Sequence, residues 1–131
     1  MNIFNSYSAE ILILIFLIFT FLQSGIDKIT DWKGNLGFIK DHFKNSPLKN
    51  MVPLLLATIL IIELVAGLLM GVGVYQLATS GIKEVALLGL ELSAIALIFL
   101  LIGQRLAKDY AGAMSLTVYF ILTVFGVFLL Q

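Results

Sequence analysis

The chain has 131 residues, of which 60% are hydrophobic and 12% charged, with eight Lys and Arg balancing eight Asp and Glu. Soluble domains run about half apolar and about a quarter charged, so this composition excludes an ordinary aqueous core and indicates an integral membrane protein. Zero formal net charge leaves no electrostatic footprint for nucleic acid. The lack of cysteine excludes disulfides, thiolate metal sites, iron–sulfur ligation and covalent c-type haem attachment within the chain. His42 is the single histidine and cannot alone supply a bis-histidine haem.

The first apolar segment predicts a membrane span over 8–29, apolar all round from Ile11 through Leu22 except for Thr20. No Lys or Arg precedes Lys28 and no A-x-A-like site follows, so this segment reads as a permanent span rather than a signal peptide. Its end turns polar: Thr20, Ser24, Asp27 and Lys28 are spaced three or four apart and form one stripe. Residues 31–50 form a connector too short for a separate domain. It holds Trp32, four lysines, and Leu36, Ile39 and Phe43 at helical spacing opposite Lys40 and Lys44. That pattern predicts a short amphipathic helix on the bilayer surface. His42, beside Asp41, reads as a solvated side chain. Pro47 and Pro53 punctuate the start of the next span.

The second span, over 51–77, carries Glu63 near its middle, followed by Gly67 and Gly71 in a small-xxx-small row suited to close helix packing. Spacing of four places the acid and both glycines on one face. A Thr79-Ser80-Gly81 turn precedes the third span, over 82–106, which carries a second acid, Glu91. The fourth, over 110–130, follows after few residues and should lie antiparallel to the third. The expected architecture is all-α, a four-helix membrane bundle with a surface helix between the first and second spans, forming one domain over 1–131.

A charged carboxylate at the bilayer centre costs at least ~2.5–3.5 kcal/mol, so intramembrane acids usually face a bundle interior or a polar cavity. Burial favours the neutral form unless a cation or a second copy compensates. Glu63 lies about 11 residues, roughly 17 Å, from the start of its helix, and Glu91 at comparable depth; Tyr119 enters to roughly 12–14 Å. Glu63, Glu91 and Tyr119 are therefore expected to form one buried polar site if their faces converge. Ser24, Asp27, Lys28, Arg105, Lys108 and Asp109 are expected to form a separate cluster at the connector-side surface. Seven of the eight Lys and Arg fall on that side and only Lys83 on the other. The positive-inside rule then places the connector in the cytoplasm and both termini outside.

The order Ser24-Gly25-Ile26-Asp27-Lys28 at the end of the first span, Glu63-Leu64-Val65-Ala66-Gly67 in the second, and Lys108-Asp109-Tyr110-Ala111-Gly112-Ala113 before the fourth resembles the DoxX family of small four-helix membrane proteins of bacteria and archaea. The resemblance spans nearly the whole chain. It implies a cytoplasmic-membrane protein acting as a non-catalytic or quinone-contacting subunit of a larger, respiratory or redox, membrane complex. Quinone is the cofactor it implies, and other membrane subunits or further copies of the chain are the partners. The family's distant likeness to vitamin K epoxide reductase does not carry that activity over, because its chemistry needs cysteines. Two alternatives stand beside this reading: a small-molecule or proton pathway through Glu63 and Glu91, and an assembly factor that docks clients on the Gly67/Gly71 face. Neither a nucleophile–base pair nor metal-ligand spacing suggests an independent enzyme.

Overall fold

A computed structural model describes residues 6–131. Among the described residues five helices follow one another: α1 (Ser8–Thr30), α2 (Trp32–His42), α3 (Val52–Ser80), α4 (Glu84–Leu106) and α5 (Tyr110–Leu130). All but α2 are long and apolar enough to cross a membrane, and at most 33% of each such span is buried inside the bundle. The outward faces carry Leu12, Phe19, Leu54, Leu68, Met114 and Val118, each more than half exposed. A surface this apolar belongs in lipid, and the protein is a multi-pass membrane protein.

The four spans pack in the order α1–α3–α4–α5, and a slimmer α5–α1 contact closes the bundle. Its core is filled by Leu14, Leu17, Met70, Leu77, Leu90 and Leu130, all fully buried. Lipid tails are as apolar as leucine, so burial alone draws no two spans together; close backbone packing must do so. Small residues provide it at two crossings. A methyl group on Gly73 would lie 2.6 Å from the Ala86 amide nitrogen, and one on Gly89 would lie 2.9 Å from that of Met70. Those two glycines bring α3 and α4 nearly backbone to backbone. Between α1 and α3, Gly25 lies against Leu64 and Gly67 against Leu22. Gly71, expected to pack with Gly67, faces open space with nothing within 4 Å of its missing side chain.

Helix ends follow local chemistry. Pro53 sits in the first turn of α3, where its missing N–H costs no hydrogen bond. Thr79 and Ser80 remain helical rather than forming the expected turn. The Thr79 hydroxyl donates to the Tyr75 carbonyl at 2.7 Å, and the helix stops only at Gly81 with φ 68°, a left-handed position that glycine reaches without strain. α2 is capped by Asp31, whose carboxylate accepts from the Gly34 amide at 3.3 Å. Leu36 and Ile39 are half-buried while Lys33 and Lys40 are exposed, so α2 is amphipathic and rests on α1 and α3.

Gly73→Ala should therefore lower stability by about 1–3 kcal/mol, because its methyl group meets backbone that cannot step aside. Gly71→Ala should be neutral within ~1 kcal/mol, gaining slightly in helix propensity. Reversible unfolding in mixed micelles measures both; equal losses would contradict this packing.

Candidate functional site

Ser24 and Lys28 stand one turn apart on α1, facing α3, with Gly25 between them at the crossing. Lys28 Nζ donates to Ser24 Oγ at 2.7 Å and lies 2.8 Å from Glu63 Oε1. The side chains of Lys28 and Glu63 are only 14% and 5% exposed. The ammonium meets Oε1 off the line of an aligned hydrogen bond, and no other group donates to that oxygen. The contact is thus a charge pair held by position, and Lys28 is the compensating cation that a buried Glu63 requires. Gly67, four residues beyond Glu63, lies under Leu22, so one face of each helix carries both the pair and the close approach.

This pairing joins residues that the sequence assigns to different places, Glu63 to the bundle middle and Lys28 to the surface. Lys28 is about 3 Å from the end of α1, whereas Glu63 is about 17 Å from the start of α3. The two meet because α3 is 29 residues long, roughly 43 Å against a hydrocarbon core of ~30 Å, and runs well past α1 on the connector side. Counting from its first residue therefore does not fix the depth of Glu63.

Glu63, Glu91 and Tyr119 do not share a site. Glu91 lies on the exposed face of α4; its side chain has no hydrogen bond or ion pair among the described residues. Tyr119 is half-buried and packs on Phe16 of α1, with ring centroids 6.3 Å apart.

The surface cluster also divides. Ser24 and Lys28 turn inward, while Asp27 is exposed and contributes its carbonyl oxygen, which accepts from Asp31 N–H and from Asn35 Nδ2. Arg105 lies over the Tyr110 ring, 5.1 Å from its centroid. Lys108 takes a left-handed φ of 62° in the tight turn between α4 and α5. Asp109 caps α5, accepting from the Gly112 amide at 2.9 Å. A side chain on Gly112 would collide with that carboxylate.

His42 is the residue that sequence reasoning missed. It is half-buried at the end of α2, with Nε2 3.2 Å from Asp109 Oδ2 and 3.3 Å from Gln104 Oε1. Phe43 then packs against Gly103, so the connector is pinned to the α4–α5 turn. A shallow polar cleft of about 230 Å³ beside it is lined by His42, Lys44, Asn45, Ser46 and Lys108, among others. The available signal was Asp109-x-x-Gly112, a capping pattern that fixes an acid at the head of the last span.

Chemically, the inner cluster is a self-neutralising clamp between α1 and α3, and the outer one a latch for the connector. Among the described residues, no group of three His, Cys, Asp or Glu is placed to hold a metal ion. These clusters and the fold define a four-helix, multi-pass membrane protein. No protein-family model, curated protein or solved structure matches the chain.

Asp109→Ala should remove both the cap and the His42 contact, costing about 0.5–2 kcal/mol through the cap alone. It should also speed tryptic cleavage at Lys44 and Lys49. Asp109→Asn keeps the capping oxygen and should lie between alanine and wild type in cleavage rate. Identical proteolysis of all three would show that the latch does not hold the connector.

Proposed function

We propose that the chain is a small, non-catalytic subunit of a larger membrane complex, as the resemblance to DoxX-like proteins of respiratory and redox systems implies. One observation carries this reading: Glu91 sits well inside a span, exposed on its outer face and with no partner among the described residues. Facing lipid alone, a charged carboxylate there costs at least ~2.5–3.5 kcal/mol. A neighbouring protein surface that bonds the carboxyl removes that cost.

The alternatives draw less support. A relay through Glu63 and Glu91 needs both acids on one route, yet Glu63 is locked to Lys28 in the α1–α3 seam and Glu91 points outward. Client docking on the Gly67/Gly71 face needs that face free, and Leu22 covers Gly67. Contact with a quinone has a structural place to start. An open apolar groove of about 450 Å³ follows α1 along Ile15, Ile18, Phe19, Leu22, Gln23 and Ile26, and suits an isoprenoid or acyl chain. In this reading the membrane is the prokaryotic cytoplasmic membrane, with the connector inside and both termini outside.

Native mass spectrometry of the protein released gently from its own membranes tests the proposal. The expected result is a complex retaining another subunit, weakened when Glu91→Leu removes the contact group. Release of chains carrying only bulk lipid would overturn it.

A further inference from the structure

The turn that ends α4 has the backbone of a glycine turn but carries a lysine. Asp109 N–H donates to the Gln104 carbonyl at 2.8 Å, and Lys108 N–H to the Arg105 carbonyl at 3.1 Å. This pair of bonds is the Schellman closure, whose left-handed position glycine normally fills. At the end of α3 the chain does place a glycine, Gly81, at φ 68°. Lys108 instead holds φ 62°, a conformation that any side chain makes costly. The helix end does not demand this cation, because Arg105 already stands in the last turn of α4.

What the side chain of Lys108 reaches is the polar cleft between the connector and this turn, which Lys44, Asn45 and Ser46 also line. Among the described residues, no hydrogen bond or ion pair engages the Lys108 ammonium. Lys44 meets only Asp41, at 3.5 Å, in an exposed pair. Ser46 is 5% exposed; its Oγ accepts from the Leu48 amide at 3.2 Å, and its own proton has no acceptor among the described residues. His42 is turned toward Asp109 and Gln104. Two cations and a buried hydroxyl donor thus converge from two segments, against one rim carboxylate, Asp41. The cleft also has a defined depth. With 23 and 21 residues, α4 and α5 match the ~30 Å hydrocarbon core, so the turn joining them emerges among the lipid headgroups. Leu106 gives the cleft an apolar wall, and Ile102 lies one turn deeper on the same exposed strip.

We infer that this cleft binds the phosphate of an anionic phospholipid, held by Lys44, Lys108 and Ser46, with an acyl chain along Leu106 and Ile102. A phosphodiester stays charged throughout the working pH range, and basic pockets at the ends of spans suit such headgroups. Free phosphate would meet the same donors but leave Leu106 and Ile102 uncovered. The bound headgroup would also tie the connector to the α4–α5 turn. This inference stands apart from the reading of Glu91.

Native mass spectrometry of the delipidated full chain in detergent, titrated with phosphatidylglycerol or phosphatidylcholine, reads the site. One phosphatidylglycerol should bind with several-fold preference. Lys108→Gly should lose most of that preference while unfolding at no lower temperature, because glycine fits the turn. Lys44→Gln, which leaves the turn untouched, should weaken binding several-fold. Lys33→Gln, on the exposed side of α2 and outside the cleft, should bind as wild type does. Full binding by Lys108→Gly and Lys44→Gln, or an equal loss from Lys33→Gln, would overturn the inference by showing only diffuse attraction to basic side chains. Displacement of the lipid by inorganic phosphate at equal concentration would assign the cleft to a free anion and overturn the lipid.

Discussion

A charge placed among helices in lipid must find its counter-charge inside the protein, and in this chain that constraint falls on Lys28 and Glu63. Their 2.8 Å contact sets how far α1 can slide along α3. Shifting one helix by a turn, about 5.4 Å, would strand both groups. Apolar packing tolerates many registers, but a buried ion pair tolerates few. The residues around it fit this role. Gly25 and Gly67 let the helices approach, and Ser24 Oγ accepts a hydrogen bond from the Lys28 ammonium.

The same logic explains the three motifs singled out in the sequence. Ser24-Gly25-Ile26-Asp27-Lys28 and Glu63-Leu64-Val65-Ala66-Gly67 are the two halves of one helix crossing. Lys108-Asp109-Tyr110-Ala111-Gly112-Ala113 is a turn in which a left-handed residue, a capping carboxylate and a glycine amide follow in order. Each motif has an account in packing and capping. Of the two acids deep within a span, Glu63 is paired with Lys28, whereas Glu91 has no partner among the described residues, and for that reason the functional reading rests on it.

The spans could be read from sequence because their signal is simply length and apolarity, which any lipid-exposed helix must show. The amphipathic connector helix was legible for a similar reason, since Leu36, Ile39 and Phe43 repeat at helical spacing against Lys40 and Lys44, although the helix ends at His42, before the last of each set. Which faces meet was much less legible. Glu63 was expected beside Glu91 and Tyr119 on the strength of equal depth, but depth says nothing about rotation about the helix axis. Lys28 was expected at the surface because it lies near a helix end, although matching glycines on both helices mark the place where it meets Glu63. Gly71 shares its helix face with Gly67 by spacing alone, yet each step of four turns that face by about 40°, and at Gly71 nothing lies within 4 Å of the missing side chain. His42 carried no periodic signal; its partner Asp109 is 67 residues away in sequence, and only the folded chain brings the two together.

Coupling between Lys28 and Glu63 tests this account most directly. A double-mutant cycle with Lys28→Met and Glu63→Met, read by reversible unfolding in mixed micelles, isolates it. Each single change should cost about 3–5 kcal/mol by leaving a buried charge unpaired, and the double variant should be no less stable than either single one. Simple addition of the two losses would mean that the residues do not hold each other, and that the register of α1 on α3 is set by something else.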